Sequence, residues 1–306
     1  MKTINSKSVI LWSLFVLPFL LLTTACKSKS SQENSEEVET KIPTVTLGNG
    51  VKMPMLGFGT MDIRSADAIA TGIALGYRLF DTATIYGNEE IVGDGIKQSG
   101  IDRDELFITT KLWVDDSGYE ETKRAFQTSL DKLGVEYVNL YLIHRPRGKD
   151  IQGSWRAMEE LYDEGKIKAI GVSNFDIHQL IELMSYARIK PMVNQIESSP
   201  FFQQYEAQAE LQELGIQMQA WSQFAGGRRD IFNNPTLVAI GEQYNKTAAQ
   251  VVLRWQFQRG IVTIPRTDNA EYMAENLNIF DFQLTEADIE KIRTLDLNIT
   301  QFPEWD

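Results

Sequence analysis

The sequence predicts an α/β fold, a single-domain (β/α)8 TIM barrel that spans residues 42–306. Three observations support this prediction. Eight short apolar runs rich in Val, Ile, Leu and Phe alternate with stretches of helical spacing. The alternation fills roughly 260 residues, which is the usual size of such a barrel. No linker or low-complexity stretch interrupts it, so one domain is the economical interpretation.

The eight apolar runs are the predicted strands, and the stretches between them are the predicted helices. In residues 121–133, for example, Phe126, Leu130 and Leu133 share one helical face. Glycines at 134, 165 and 215 stand where three helices should stop, just ahead of the next strand. The predicted strands are residues 55–58, 77–80, 106–109, 138–143, 167–172, 192–196, 216–220 and 261–264.

A doubly wound sheet is the alternative fold. It would bind a dinucleotide through a G-x-G-x-x-G turn after the first strand. Here Gly57 and Gly59 are followed by Thr60-Met61-Asp62, so the third glycine is missing. The barrel is therefore the better prediction.

Charge and composition exclude several kinds of partner. The net charge is −12, which argues against nucleic acid and against electrostatic binding to anionic lipid. The chain has two histidines and one cysteine. No metal-ligand spacing and no intramolecular disulfide are therefore expected.

The first 41 residues form a separate segment. Lys2 and Lys7 precede an apolar run over residues 9–22, too short for a typical membrane-spanning helix. The small residues before Cys26 resemble a bacterial lipoprotein processing site. Residues 1–26 are thus predicted to be a signal peptide with lipidation at Cys26, and residues 27–41 a flexible linker. This predicts a membrane-anchored lipoprotein on the periplasmic or extracellular face. An uncleaved anchor, an ordinary signal peptide and a cytoplasmic protein remain alternatives.

Polar side chains follow most of the predicted strands, and in a barrel the carboxyl ends of the strands carry the chemistry. Asp81 and Tyr86 follow the second strand, Lys111 the third and His144 the fourth. An ammonium lowers the pKa of a neighbouring phenol, which is otherwise about 10. Asp81 would hold Lys111, Lys111 would tune Tyr86, and His144 would donate to a substrate oxygen. Taken singly, each residue could instead be a turn cap, a rim ion pair or a core residue.

This set would donate a proton to a carbonyl oxygen, but it supplies no hydride. A bound nicotinamide would complete a reduction. Ser173, Asn174 and Gln195 could hold its carboxamide, and Trp221 could cover its ring.

Seven motifs resemble the aldo-keto reductase family, including its bacterial 2,5-diketogluconate reductases and aldehyde reductases. The resemblance extends over essentially all of residues 43–300, and the motifs stand in the family's order. The motifs are LGFGT (56–60), FDTATIYGNE (80–89), TTKLW (109–113), SLDKLGVEYVNLYLIHRP (129–146), EGKIKAIGVSNF (164–175), VNQIE (193–197) and IPRTDNAEYMAENLNIFDF (264–282).

The resemblance implies NAD(P)H-dependent reduction of aldehydes or ketones to alcohols. It implies a catalytic tetrad of Asp81, Tyr86, Lys111 and His144, with Tyr86 as the acid. The substrate pocket would include Trp113, His144 and Arg145. The implied cofactor contacts are Gly59, Thr60, Asp81, Ser173, Asn174, Gln195 and Trp221, then Ser222 and Phe224 toward the pyrophosphate, and Arg266, Thr267 and Asn276 at the adenosine end.

Departures from the family pattern leave some specificity open. Tyr272 stands where an arginine usually helps to hold the 2′-phosphate of NADP, and Asp268 adds a negative charge nearby. NADP(H) is the predicted cofactor, with NAD(H) as the alternative. Arg145 replaces a common tryptophan, which favours polar or anionic substrates unless it is a solvent-facing rim residue. The short tail after residue 297 predicts an open, permissive site.

Two other functions are compatible with such a barrel. One is a cofactor-binding scaffold without turnover, and the other is a Schiff-base enzyme with Lys111 as nucleophile. The predicted partner is a small carbonyl compound, and a monomer is expected.

Overall fold

The structure is a computed structural model that describes residues 42–305. The predicted signal peptide (1–26), the lipidation site at Cys26 and the linker (27–41) lie outside the described residues. Within residues 42–305, no helix is long and apolar enough to cross a membrane.

Eight parallel strands follow a short antiparallel hairpin. The hairpin consists of β1 (Thr44–Thr46) and β2 (Lys52–Pro54). The strand pattern of the sequence predicts no element before residue 55, so this hairpin was not predicted. All eight predicted runs overlap a parallel strand. These are β3 (Phe58–Gly59), β4 (Leu79–Asp81), β5 (Phe107–Leu112), β6 (Val138–Ile143), β7 (Ile167–Ser173), β8 (Val193–Glu197), β9 (Gln217–Trp221) and β10 (Val262–Thr263).

The sheet curls from β3 to β10 in chain order and is joined along its open edge. Leu56 forms a parallel bridge with Thr263, and the Gly57 amide donates to the Thr263 carbonyl at 2.8 Å. A Cβ on Gly59 would lie 2.6 Å from the Ile264 carbonyl oxygen. The first and last strands can therefore approach only because residue 59 has no side chain. These contacts confirm the predicted barrel.

Helices follow the strands and cover the outside of the barrel. In α3, Phe126, Leu130 and Leu133 are buried as their spacing predicts. Gly134 and Gly215 end α3 and α6 in the left-handed region, with φ of 65° and 71°. The helices are α1 (Ala66–Leu75), α2 (Glu89–Ser99), α3 (Tyr119–Leu133), α4 (Ile151–Asp163), α5 (Ile177–Tyr186), α6 (Tyr205–Leu214), α7 (Pro235–Tyr244), α8 (Ala248–Gln258), α9 (Ala270–Leu277) and α10 (Glu286–Arg293).

The hairpin packs at the amino-terminal end of the barrel. Met53 is fully buried in one apolar cluster with Leu79, Leu140 and Val262 from three different strands. The Asn49 side chain also donates to the Lys168 carbonyl at 2.8 Å. With this end filled by apolar side chains, polar chemistry is confined to the carboxyl ends of the strands.

Candidate active site

The carboxyl ends of the strands surround a cavity of about 760 Å³. Most residues predicted for catalysis or cofactor binding lie on its wall. Lys111 is completely buried beneath the wall, while Thr267 and Asn276 lie away from it. The predicted residues that line the cavity are Gly59, Thr60, Asp81, Tyr86, Trp113, His144, Arg145, Ser173, Asn174, Gln195, Trp221, Ser222, Phe224 and Arg266.

Lys111 and Asp81 form a buried ion pair at the floor of the site. Lys111 Nζ contacts Asp81 Oδ1, and both side chains are inaccessible to solvent. Lys111 Nζ also donates to the Thr82 carbonyl at 2.9 Å, and Gln195 Nε2 donates to Asp81 Oδ2 at 2.7 Å. Both carboxylate oxygens thus accept hydrogen bonds, an arrangement that favours the ionised acid.

The pKa values in this pair reflect opposing effects. Burial raises the pKa of the Asp81 carboxyl, and Lys111 acts in the opposite direction. Burial by itself would lower the pKa of Lys111, but Asp81 and Tyr86 outweigh it and raise that pKa. Because Lys111 keeps its proton and donates to Asp81, we assign the pair as ammonium and carboxylate at neutral pH.

Tyr86 lies above this pair on a short turn. Its hydroxyl is 3.4 Å from Lys111 Nζ. The turn of Thr84–Tyr86 ends at Gly87, whose φ of 63° suits a residue without a side chain. Thr84 Oγ1 donates to the Lys111 carbonyl, which ties the turn to β5. Tyr86 is thereby held over the ammonium.

The pKa of the Tyr86 phenol differs from the sequence-based expectation. Lys111 lowers this pKa as predicted, but burial has the larger effect, and the pKa is raised above its ordinary value. The expectation of a lowered value is therefore wrong for this structure, because spacing along the chain does not reveal how deeply a hydroxyl is buried. A phenol that keeps its proton at neutral pH is still a competent donor.

His144 is buried beside the phenol. Its ring centroid lies 5.8 Å from that of Tyr86 and 5.2 Å from that of Trp113, both in edge-to-face geometry. Burial lowers the pKa of His144 well below its ordinary value, and Lys111 and Arg145 lower it further. The imidazole is therefore neutral at neutral pH and can donate one hydrogen bond to a substrate oxygen.

Ser173, Asn174 and Trp221 form a hydrogen-bonded wall on the other side of the cavity. Asn174 Nδ2 donates to Ser173 Oγ and to the His144 carbonyl, each at 3.0 Å. Trp221 Nε1 donates to Asn174 Oδ1 at 2.8 Å. The Gln195 side-chain amide nitrogen donates to Asp81 Oδ2 and to Gln219 Oε1. This wall fixes a flat indole face beside polar groups, as expected for a nicotinamide site.

The loop after β9 carries an unsatisfied hydroxyl. Ser222 has a φ of 57°, and its buried Oγ has no hydrogen-bond partner among residues 42–305. Phe224 follows on the same side of the cavity. A buried hydroxyl without a partner on a cavity wall fits a polar ligand group such as a pyrophosphate.

Three residues are predicted to bind the adenosine end of the cofactor, and only one of them lines the cavity. Arg266 lines it and lies 3.2 Å from Asp62. The Thr267 hydroxyl accepts from the Asn269 amide at 3.1 Å, and Asn276 is buried in α9. Tyr272 is 57% exposed. The cofactor roles of Thr267 and Asn276 stay predictions.

The chain's last residues reach the cavity, which the sequence analysis did not anticipate. Phe302 and Trp305 stack on each other at 4.6 Å, and both rings lie within 5.5 Å of the Trp221 ring. Glu304 also lines the cavity and pairs with Arg228 of the loop after β9. The aromatic residues near the carboxyl terminus were the available signal. The short tail therefore forms part of the wall.

Within residues 42–305, no group of three or more His, Cys, Asp or Glu side chains is placed to bind a metal ion.

Fold and site together define a class of barrel enzyme with a buried acid–base set at the mouth of the barrel. The chain belongs to the aldo/keto reductase family, whose family model matches residues 55–297. This membership confirms the predicted class of activity, NAD(P)H-dependent reduction of carbonyl groups.

Named relatives and a solved structure agree with this assignment. The chain is 48% identical to the glyoxal reductase of Bacillus subtilis, over 82% of this chain and 92% of that protein. It is 43% identical to the morphine 6-dehydrogenase of Pseudomonas putida, over 86% of this chain and 95% of that one. The Bombyx mori aldo-keto reductase in complex with NADP superposes with a TM-score of 0.81 at 35% identity, covering 85% of this chain and 95% of that chain.

The pKa directions predict a broad plateau in the pH profile of carbonyl reduction. His144 stays neutral as the pH falls through its ordinary pKa, because its own pKa is lower. Tyr86 stays protonated until the pH rises above the ordinary phenol value. We expect kcat/KM to be flat from about pH 6.5 to about pH 10 and to fall above it. Steady-state rates at saturating NADPH measure this. Loss of activity between pH 8 and 9 would contradict it.

Proposed function

We propose that this enzyme reduces small aldehydes and ketones with NADPH, and that Tyr86 supplies the proton. The observation that carries the proposal is the 3.4 Å approach of the Tyr86 hydroxyl to the buried Lys111 ammonium. A phenol beside a desolvated cation can release its proton when charge develops on a neighbouring oxygen. His144 stands next to that hydroxyl and can orient the same oxygen.

A bound nicotinamide would supply a hydride to the carbonyl carbon. Tyr86 would give its proton to the carbonyl oxygen as the carbonyl π bond breaks. Lys111 stabilises the resulting phenolate, and Asp81 holds Lys111 in place. Ser173, Asn174 and the side-chain carbonyl oxygen of Gln195 would hold the carboxamide. The Trp221 ring would lie alongside it. Ser222 would contact the pyrophosphate, and Arg266 would contact the 2′-phosphate of NADPH.

The two rival functions are less compatible with this geometry. A Schiff-base enzyme needs a neutral amine, whereas Lys111 pairs with Asp81 and its pKa is raised. A scaffold without turnover would not require an ion pair, a phenol and a neutral imidazole to meet at one cavity. The scaffold remains the alternative that the next experiment tests.

We expect Tyr86→Phe to lower kcat/KM for 4-nitrobenzaldehyde roughly 10²–10⁴-fold while NADPH affinity changes little, because only the proton donor is lost. NADPH oxidation and fluorescence titration measure the two quantities. Tyr137→Phe is the matched control, since this hydroxyl contacts Asp104 away from the cavity. Full activity in Tyr86→Phe would refute the assigned acid. NADPH binding without turnover by the unmodified enzyme would favour the scaffold.

The substrates that we propose are small and include 2-oxoaldehydes. Trp113 packs beside His144, and Phe302 and Trp305 add apolar surface to the wall of the same cavity. A glyoxal reductase at 48% identity supports the same size class. Bulky steroid-like ketones are expected to be poorer substrates. The expected monomeric state stays a prediction.

We propose that the enzyme prefers NADPH over NADH by about tenfold, because the Arg266 guanidinium can form an ion pair with the 2′-phosphate. Tyr272 cannot form such an ion pair, so the preference is modest. Quenching of protein fluorescence by each cofactor measures the two dissociation constants. Arg266→Met should weaken NADPH binding and leave NADH binding nearly unchanged. Equal affinities for the two cofactors in the unmodified enzyme would contradict the proposal.

We also propose that the enzyme is a membrane-anchored lipoprotein modified at Cys26. The basic start, the apolar run and the small residues before a lone cysteine support this. NADPH is made in the cytoplasm, so an exported reductase would need its own supply. We expect Cys26→Ala to abolish incorporation of labelled fatty acid in a bacterial host and to release the chain from the membrane fraction. Ser30→Ala in the linker is the control. Labelling that survives Cys26→Ala would exclude the anchor.

A further inference from the structure

We propose that this enzyme selects carbonyl substrates that carry a carboxylate, and that Arg145 and Arg147 bind that carboxylate. The inference rests on the proposed function, because it concerns the far end of the same substrate. Neither arginine takes part in the acid–base chemistry. Both are specificity-determining residues, one and three positions beyond His144.

The first observation is where the two arginines lie. The loop after β6 brings them to the wall of the active cavity, which His144 and Trp113 also line. Both also line a second cavity of about 520 Å³. A substrate whose carbonyl contacts Tyr86 and His144 would share this cavity with the two guanidinium groups.

The second observation is the position of Arg145 relative to the catalytic groups. Arg145 is half-buried, so it is not the solvent-facing rim residue considered as an alternative. Its positive charge lowers the pKa of His144, although the effect of burial is larger. The charge is thus felt inside the cavity, where water screens it less than at the surface.

The third observation is the charge balance of the active cavity. Its acidic side chains are all engaged by other groups. Asp81 pairs with Lys111, Asp62 with Arg64 and Arg266, and Glu304 with Arg228. Arg147, by contrast, is exposed and has no carboxylate within ion-pairing distance among residues 42–305.

Two arginines on the wall of the active cavity are unexpected in a chain of net charge −12. Such a cationic patch attracts anionic substrates and raises their local concentration. Guanidinium groups also match the planar geometry of a carboxylate through two parallel hydrogen bonds.

Acidic side chains of the second cavity limit where the substrate carboxylate can bind. Its wall carries Asp176, Glu197 and Glu210. Glu197 is buried and accepts from Thr300 Oγ1 at 2.6 Å and from the Gln301 amide at 2.9 Å. Asp176 and Glu210 would repel an anion that entered that cavity. The carboxylate is therefore placed at the boundary between the two cavities, where both arginines lie.

The test compares 4-carboxybenzaldehyde with its neutral methyl ester. The ratio of kcat/KM for the acid to that for the ester reports recognition of the charge. We expect Arg147→Glu to lower this ratio about tenfold, mainly through KM for the acid, because attraction is replaced by repulsion. Arg147→Gln should lower it less, and added salt should lower it in the unmodified enzyme. Lys149→Gln, an exposed residue of the same loop outside both cavities, should leave the ratio unchanged.

Arg145→Gln should also lower the ratio, and the variant Arg145→Gln/Arg147→Gln should lower it most. An acid-to-ester ratio that stays the same in Arg147→Glu and in the double variant would overturn the inference. Because Arg145 lies close to His144, the decision rests on Arg147→Glu if Arg145→Gln unfolds.

A binding experiment separates failure of this inference from failure of the proposed function. Calorimetry with NADP⁺ present compares 4-(hydroxymethyl)benzoate with 4-(hydroxymethyl)benzamide. Tighter binding of the benzoate that is lost in Arg147→Glu supports the inference even if no aldehyde is reduced. Equal binding of the two compounds overturns it, whether or not the enzyme turns over.

Discussion

The buried ion pair between Lys111 and Asp81 is the constraint on which the site depends. Removing two charges from water costs several kcal/mol for each ion, and neither side chain reaches solvent here. The structure offsets this cost with the Thr82 carbonyl and the Gln195 amide. Lys111 lies on β5 and Asp81 on β4. Thr82 directly follows β4, and Gln195 lies on β8. Only the correct register of the barrel brings them together.

The same pair determines how the neighbouring groups behave. Its cation lies close to the Tyr86 hydroxyl and counteracts the effect of burial on that phenol. It also helps to keep His144 neutral. One strong interaction thus prepares a proton donor and a neutral hydrogen-bond donor side by side. Removing one partner would leave an unpaired charge in the barrel, so structural damage and loss of activity would be hard to separate.

The outer parts of the cavity depend on contacts between loops and the tail. Arg228 pairs with Glu304 and stacks on the Phe302 ring at 4.2 Å. Phe302 in turn packs on Trp221. The loop after β9, on the predicted cofactor side, is therefore connected to the tail that lines the same cavity.

The sequence by itself determined the eight strands, the glycines that end the helices and the four catalytic candidates. It could do so because apolar periodicity is local and because all strands of a parallel barrel end on one side. Only the tertiary structure decided the hairpin, the approach of Gly59 to Ile264, the burial of the Tyr86 hydroxyl and the aromatic tail on Trp221. Arg147 likewise became notable only once it lay on a cavity wall. These features depend on contacts between residues far apart in the chain, which no local pattern encodes.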